Sequence, residues 1–262
     1  MNSNGNVSVS GPNEKIIQNK HNDYDSKEEK IMPLVTSKEM LLKAQKGGYA
    51  VGAFNAENME MVKAIIQAAE ELKAPVMIQT TPSTVKYGTV ETYAAIVAAE
   101  AAKASVPVCL HLDHGSSFEL AMQAMHAGYT SVMIDGSKLD FEDNIRETRR
   151  VADVAAALDI PCEAELGKVG GKEDDLEAEA DTNTDPQEAK EFVERTGVTS
   201  LAVAIGTAHG FYVGTPVLDK ERLSEIREVV DIPLVLHGAS GLSDEDVSDL
   251  SLIHISEPTR RS

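Results

Sequence analysis

The sequence predicts an α/β protein whose parallel strands close into a barrel, and three observations point to this fold. Short apolar segments alternate with longer segments of helical period, as in parallel strands joined by helical crossovers. The 262 residues suit one large α/β domain or two small ones. Polar side chains capable of chemistry follow six of the seven strand-like segments. Side chains at so many strand ends can converge on one site only when the strands form a ring.

Seven segments read as strands because each is a short apolar run bounded by turn-forming or polar residues. They are 49–54, 76–80, 108–112, 131–134, 161–166, 200–205 and 234–236. The alternation alone would also fit an open doubly wound sheet, and the polar strand ends decide in favour of a (β/α)8 barrel, the TIM barrel. The eighth strand of that barrel is not found among these segments.

Segments of helical period lie between the strands, at 59–72, 90–104, 118–126, 141–158, 186–196 and 218–229. Asp140 and Asp185 stand where N-caps are expected, and Pro186 takes the first helical position of its segment. Thr36 and Glu39 match a capping box, which would open another short helix ending near residue 45.

The composition limits the partners of the protein. Acidic residues outnumber basic ones by 43 to 24, and the resulting net charge of -19 argues against nucleic acid and anionic membranes as partners. Cys109 and Cys162 both lie in apolar segments, which indicates reduced core residues and not a disulfide framework. No apolar run approaches membrane-spanning length, so we expect a soluble, cytoplasmic protein.

Three histidines share one kind of position: His114, His209 and His237 each come at a strand end and precede a glycine. Three neutral imidazoles with an open fourth position suit a catalytic divalent ion, most often zinc. For any one of them a hydrogen-bonded structural histidine is the alternative, but convergence of all three favours a metal site. His111 is expected in the core or beside the ligands, and His126 on a helix surface.

Carboxylates accompany these histidines at the strand ends. Asp113 is a candidate base, although Asp113, or Ser116 and Ser117, could instead cap the following helix. Glu163 and Glu165 alternate along the fifth strand, so both face the barrel interior if Cys162 faces the helices. Together with Asp135 they are candidates to hold the metal ligands in position; for the two glutamates a purely structural hydrogen-bonding role is the alternative.

Three glycine-containing segments follow strands and are candidate ligand loops. Residues 167–175 combine glycines with an acidic end, which is typical of an active-site lid or, alternatively, of a solvated acidic loop. Residues 206–210 and 237–241 are turns of small residues, and the second precedes a helix expected near Ser243. Its amides and the Ser240 hydroxyl could hold a phosphate.

Four strings make the sequence resemble the class II, metal-dependent ketose-bisphosphate aldolases, the fructose- and tagatose-bisphosphate aldolase group. They are LHLDHG at 110–115, EAELG at 163–167 continuing to GGKE at 170–173, AHG at 208–210 and LHGASG at 236–241. The first two match the family's signature patterns, apart from Cys162, where an aliphatic residue is usual. The likeness runs from about residue 32 to residue 250.

The resemblance implies a metal held by the three histidines at 114, 209 and 237, a general acid/base at Asp113 and a loop base at Glu173. Cleavage between C3 and C4 of a ketose bisphosphate needs a base for the C4 hydroxyl proton. It also needs an electron sink at the C2 carbonyl, which zinc or another divalent ion would supply. Glu173 would then protonate the enediolate, which releases dihydroxyacetone phosphate.

The resemblance also implies where the substrate binds. Gly210, Gly238 and Ser240 would hold a phosphate, with a monovalent cation nearby, and Asn55 is a weaker candidate for substrate contact. Fructose 1,6-bisphosphate is the leading substrate; tagatose 1,6-bisphosphate, an inositol-pathway phosphoketose and a non-catalytic metal-binding barrel fragment are the alternatives. A full-length family member is expected to form a homodimer or a higher homo-oligomer.

Both ends of the chain depart from the family pattern. Residues 1–31 are polar and without a sustained period, which predicts a disordered extension before a barrel of residues 32–250. The family continues into an eighth strand and C-terminal helices, whereas residues 251–262 look like foreign sequence. Residues 252–255 could form a brief strand, but a parallel crossover needs a longer connection.

We expect the 262-residue chain to be marginally folded and nearly inactive, because unpaired edges on the first and seventh strands favour aggregation. A version with a family-like C-terminus should be stable and active. Thermal unfolding and aldol cleavage, measured for both chains, test this expectation. A cooperative transition with full activity in the 262-residue chain would contradict it.

Overall fold

A computed structural model of the chain describes residues 34–173, 176–178, 183–210, 212 and 216–253. For residues 170–173, 176–178, 252 and 253 it describes the backbone alone. The extension predicted at residues 1–31, and most of the tail predicted at 251–262, therefore lie outside the described residues.

The described residues form ten strands. They are β1 (Gly52–Asn55), β2 (Val76–Thr80), β3 (Val108–Leu112), β4 (Ser131–Ile134), β5 (Cys162–Leu166), β6 (Gly170–Glu173), β7 (Leu176–Ala178), β8 (Ser200–Val203), β9 (Ala208–His209) and β10 (Leu234–Val235). One sheet has the order β1-β2-β3-β4-β5-β8-β10, with every pairing parallel. The other has the order β7-β6-β9. All seven strands predicted from the sequence are present in the parallel sheet.

The described residues also form nine α-helices. They are α1 (Ser37–Gly47), α2 (Met59–Leu72), α3 (Pro82–Gly88), α4 (Val90–Ala101), α5 (Phe118–Ala127), α6 (Phe141–Ala157), α7 (Pro186–Thr196), α8 (Lys220–Val229) and α9 (Asp244–Ile253). The brief strand considered at residues 252–255 is wrong for 252 and 253, which continue α9. No helix in the described part of the chain is long and apolar enough to cross a membrane.

Helix starts agree only partly with the predicted caps. Asp185 caps α7, since its carboxylate accepts hydrogen bonds from the N–H groups of residues 187 (2.8 Å) and 188 (3.1 Å). Thr36 and Asp140 occupy N-cap positions, but neither side chain makes a capping hydrogen bond, so the capping box at Thr36 is wrong. One short helix, α3, was not predicted from the sequence; it begins at Pro82 behind a Thr81 cap.

Two strand boundaries differ from prediction by more than one residue. β1 begins at Gly52, because the N–H of Tyr49 donates to Ala44 O at the end of α1 (3.1 Å). β8 stops at Val203, because the N–H of Ala204 donates to the Thr184 hydroxyl (2.9 Å) and so leaves the strand ladder.

The parallel sheet is strongly curved. His114 follows β3 and His237 follows β10, and these strands are four places apart in the sheet order. In a flat sheet, four steps of ~4.8 Å would separate them by about 19 Å. The two imidazole ring centroids are 4.5 Å apart, so the sheet curls as in a (β/α)8 barrel. Within the described residues it has seven parallel strands, and β1 and β10 are not paired with each other.

The two faces of the curved sheet pack differently. Outward-facing side chains, such as Cys162 and Ala164 on β5, belong to the large apolar core shared with the surrounding helices. Inward-facing apolar side chains near the amino ends of the strands pack against α1; this cluster comprises Met40, Leu41, Ala44, Val51, Ala53, Met77 and Cys109. Farther along the strands the interior becomes polar, with Gln79, His111, Glu163 and Glu165 all buried. The predicted inward direction of the β5 glutamates is therefore confirmed.

Both cysteines should be chemically inert in the native protein. Cys109 and Cys162 are buried thiols that form no disulfide, and burial, together with the Glu163 carboxylate, raises the pKa of the Cys162 thiol to about 12. Since the thiolate is the reactive form, a disulfide reagent at pH 8 should label neither thiol before unfolding and both afterwards. Fast labelling of one thiol in the native chain would contradict this packing.

Candidate metal centre

Three imidazoles meet at the carboxyl end of the barrel. His114 follows β3, His209 is the last residue of β9, and His237 follows β10. Ring centroids lie 4.5 Å apart for His114 and His237, 5.0 Å for His114 and His209, and 5.8 Å for His209 and His237. One ring nitrogen from each lies within 4.8 Å of the others, and all three side chains are buried. The structure thus brings together the three histidines that the sequence singled out.

The turn after β3 holds His114 in an unusual backbone conformation. Its φ of +47° lies in the left-handed region, which is costly for a residue with a side chain. A Cβ on the following Gly115 would collide with the carbonyl oxygen of Met133. The Gly115 carbonyl in turn accepts a hydrogen bond from the N–H of Asp135 (3.0 Å). Close packing of this turn on β4 therefore places His114 beside Asp135.

Asp135 fixes the orientation of the His114 ring. Its Oδ2 lies 3.0 Å from His114 Nδ1, while its Oδ1 accepts hydrogen bonds from the N–H (3.0 Å) and hydroxyl (2.7 Å) of Ser137. Burial opposes ionisation of this carboxyl, but the hydrogen bonds from His114 and Ser137 outweigh it and lower the pKa of Asp135 well below its usual range. We assign the proton of His114 to Nδ1, which leaves Nε2 as the metal-binding atom.

Glu163 plays the same part for His237. The distance from His237 Nε2 to Glu163 Oε1 is 3.2 Å, and His237 Nδ1 lies 3.9 Å from Asp113 Oδ1. We assign the proton to Nε2, so Nδ1 is the atom available to a metal. The Ser200 hydroxyl donates to Glu163 Oε2 (3.4 Å).

His111 supports Glu163 from the other side and is not one of the three converging imidazoles. Its Nε2 lies 4.0 Å from Glu163 Oε2, and its Nδ1 lies 2.8 Å from the Ser131 hydroxyl. That hydroxyl is also 2.9 Å from the hydroxyl of Ser37, the first residue of α1. Burial and the neighbouring His114 lower the pKa of His111 to about 3, so this imidazole is neutral.

Glu165 offers a second arrangement of possible ligands. Its Oε2 lies 3.8 Å from His114 Nδ1, and His114, Asp135 and Glu165 form another group whose ligand atoms lie within 4.8 Å of one another. Burial and the Asp135 carboxylate raise the pKa of Glu165 to about 8. The two sets of possible metal ligands share His114, so they would place an ion at neighbouring positions in the polar layer of the barrel interior.

Asp113 lies at the rim of the barrel interior, almost completely buried. Its N–H donates to Thr80 O (3.0 Å), which extends the pairing of β2 and β3 by one residue. Among the predicted caps Ser117 is confirmed, because its hydroxyl accepts a hydrogen bond from the N–H of Leu120 in α5 (3.1 Å), and a cap at Asp113 is wrong. Asp113 thus lies beside His237 and does not cap a helix.

The predicted phosphate-binding residues lie on the turns that carry two of the histidines. Gly210 follows His209 with a φ of +83°, and Gly238 follows His237 with a φ of +74°. Ser240 is the middle residue of the 3-10 turn Ala239–Gly241.

Residues 170–173 of the predicted lid form β6, a strand that the sequence did not reveal. β6 pairs antiparallel with β7 and parallel with β9, where Gly171 aligns with His209. Glu173 ends β6, but its side chain lies outside the described part of the structure. Asn55 is the last residue of β1 instead of the first residue after it.

Residues 35–255 match the family model of class-II fructose-bisphosphate aldolases. The chain belongs to this family. The resemblance drawn from the sequence is thereby confirmed, and membership makes the protein an aldolase, which is a carbon–carbon lyase. Enzymes of this family are typically metal-dependent and act on sugar phosphates.

Solved structures agree with this assignment. The YdjI aldolase from Escherichia coli K12 is 41% identical with a TM-score of 0.78, and the alignment covers 86% of this chain and 81% of that one. A Coccidioides immitis protein assigned as a fructose-1,6-bisphosphate aldolase is 35% identical, with a TM-score of 0.77 and coverages of 84% and 79%. A fructose-bisphosphate aldolase from Campylobacter jejuni, 22% identical, shares the fold with a TM-score of 0.71 and coverages of 87% and 78%. These neighbours confirm the predicted barrel class.

The residues of this aldolase fit a bound divalent ion. Three imidazoles supply the nitrogen ligands that zinc prefers, and the second nitrogen of two of them already faces a carboxylate. Such carboxylate–histidine pairs fix the ring orientation before a metal binds. The donor chemistry would suit zinc, and other divalent ions that accept imidazole ligands would fit as well.

Three polar residues of the aldolase site were not predicted from the sequence. Gln79 on β2 is fully buried and aligns with His111 on β3. Because aligned residues of neighbouring strands face the same side of a sheet, the alternation of side chains along β2 could have identified Gln79. Ser131 begins β4 and contacts His111, but as the first residue of a strand it carried no distinguishing signal. Tyr212, near the His209 turn, carried none either.

Asp135→Ala should lower zinc affinity about 10- to 100-fold, because His114 would lose the carboxylate that sets its tautomer and orientation. Equilibrium competition with a chelator measures the effect. Asp153→Ala is a matched control, since Asp153 is exposed on α6. Equal affinities in the Asp135 variant and the control would show that Asp135 does not support the metal site.

Proposed function

We propose that this aldolase reversibly cleaves a ketose 1,6-bisphosphate, with fructose 1,6-bisphosphate as the leading candidate, to dihydroxyacetone phosphate and glyceraldehyde 3-phosphate. One observation supports this most strongly: a buried carboxylate, Asp113, stands 3.9 Å from one of three converging imidazoles. A base next to a metal site is the pairing that cleavage of a carbon–carbon bond beside a carbonyl requires.

The chemistry divides between the bound ion and the side chains of the chain. When bound to the three histidines, zinc would polarise the C2 carbonyl and stabilise the enediolate. Asp113 would take the proton of the C4 hydroxyl as the bond between C3 and C4 breaks, and would return it in the aldol direction. Burial of Asp113 excludes water from that proton transfer.

Glu173 would exchange the proton at C3 of dihydroxyacetone phosphate. Its backbone supports this role, because β6 is paired with β9 and so ties the Glu173 segment to the strand that carries His209. Closure of the hairpin that contains Glu173 would bring this base to the substrate.

The two glycine turns would bind a substrate phosphate. Gly210 and Gly238 would present backbone N–H groups and Ser240 its hydroxyl, with a monovalent cation nearby and Asn55 as a further contact. Local positive potential is needed at these turns because the chain carries a net charge of -19 and the substrate is itself an anion.

The names of two similar solved structures are a reason to retain other substrates as alternatives. The neighbour with 41% identity is named only as an aldolase, whereas the one with 35% identity is assigned to fructose 1,6-bisphosphate. Tagatose 1,6-bisphosphate and an inositol-pathway phosphoketose therefore stay alternatives, and so does a metal-binding barrel without catalysis. Coupled cleavage assays on the three substrates would rank them.

We further propose a cytoplasmic enzyme that assembles as a homodimer or a higher homo-oligomer and binds neither nucleic acid nor membranes. The acidic composition supports the last two points, because a net charge of -19 repels phosphate backbones and anionic lipids.

Asp113→Asn should retain zinc but abolish cleavage, because the amide cannot act as a base, whereas Glu173→Gln should mainly slow proton exchange at C3. Steady-state cleavage, isotope exchange into dihydroxyacetone phosphate and bound zinc should be measured for both variants. Equal loss of zinc from both would identify them as ligands. Activity that resists chelators but is trapped by borohydride with substrate would mean a lysine Schiff base and overturn the proposal.

A further inference from the structure

The hydroxyl of Tyr212 joins the two turns that carry His209 and His237. It accepts a hydrogen bond from the N–H of Ala208 (2.8 Å) and donates one to the carbonyl oxygen of Gly238 (2.9 Å). Ala208 is the residue before His209, and Gly238 is the residue after His237. One side-chain atom therefore ties together the backbones on either side of two candidate metal ligands.

The parallel sheet does not extend as far as the turns that carry His209 and His237. The ladder between β8 and β10 aligns residue 201 with 234 and residue 202 with 235, and it ends there. His237 lies beyond the end of β10, and His209 belongs to the small sheet formed with β6. Parallel strand pairing therefore does not set the distance between these two histidines. The two hydrogen bonds of Tyr212 link their turns directly.

Two glycines make room for this bridge. A Cβ on Gly238 would lie 2.7 Å from the carbonyl carbon and oxygen of Ala208, so the two turns touch backbone to backbone. A Cβ on Gly241 would collide with the ring of Tyr212. The turn 237–241 is thus shaped to accept both the Ala208 backbone and the Tyr212 ring, in addition to any role in binding phosphate.

We propose that Tyr212 is a positioning residue for the metal centre, which sets the distance between His209 and His237 through its two backbone hydrogen bonds. This inference rests on the proposed metal-binding role of those histidines. Without the hydroxyl, the two turns can move apart. The imidazole rings of His209 and His237 can then take several arrangements, and only one of them suits a shared ion. Metal affinity and the geometry of the bound ion should therefore depend on a phenol oxygen that is hydrogen-bonded to the backbone of both turns.

Tyr212→Phe removes that oxygen and keeps the ring. Tyr93→Phe is the matched control, because the Tyr93 hydroxyl also donates to a backbone carbonyl, that of Glu57 in the connection between β1 and α2 (2.8 Å). In the Tyr212 variant we expect zinc affinity to fall about tenfold in a chelator competition, within the range seen for groups that orient metal ligands. The visible spectrum of the cobalt-substituted protein should also change, since it reports coordination geometry. The Tyr93 variant should leave both unchanged.

Hydrogen exchange of the Ala208 amide in the metal-free chain provides a readout independent of the metal. It should become faster in Tyr212→Phe and not in Tyr93→Phe, because only the first variant frees that N–H. Unchanged zinc affinity and cobalt spectrum in Tyr212→Phe would overturn the inference, as would equal changes in the two variants. Failure of the proposed metal role would appear separately, as an absence of zinc binding by the unmutated chain.

Discussion

The parallel pairing of seven strands into one curved sheet is the interaction on which the candidate site depends. Parallel strands end at the same rim, and curvature turns that rim inward, so residues far apart in the chain meet there. His114 and His237 illustrate the effect, because they follow strands four places apart and yet their rings are 4.5 Å apart. The distance between these two histidines is therefore a property of the whole parallel sheet, whereas His209 belongs to the small sheet of β6, β7 and β9.

The interior of the barrel is divided along its axis. Apolar side chains such as Met77 and Cys109 pack on α1 at one end, and ionisable groups occupy the other. Burying carboxylates and imidazoles is costly unless each has partners. Here Asp135 is held by Ser137 and His114, and Glu163 by His237 and Ser200. Such a layer adds little to stability compared with an apolar core, so its presence is better explained by chemistry.

The sequence allowed the strands, most helices and the three histidines to be predicted, because these features follow from local periodicity and from the polar residues at strand ends. The hairpin of β6 and β7 was missed, since its glycine-rich, charged residues lack alternation. The helix α3 was missed because seven residues hold too little helical period to be recognised. Tyr212 was missed for a different reason: its hydroxyl acts on backbone atoms, and nothing in a side-chain pattern reports a contact of that kind.

The central claim is that the converging imidazoles hold one divalent ion beside Asp113. The most direct test is a crystal structure of the zinc-loaded protein, with anomalous data collected on both sides of the zinc absorption edge. The account predicts a single strong peak about 2.0–2.1 Å from one nitrogen each of His114, His209 and His237. A peak held instead by His114, Asp135 and Glu165, or one confined to the protein surface, would contradict it.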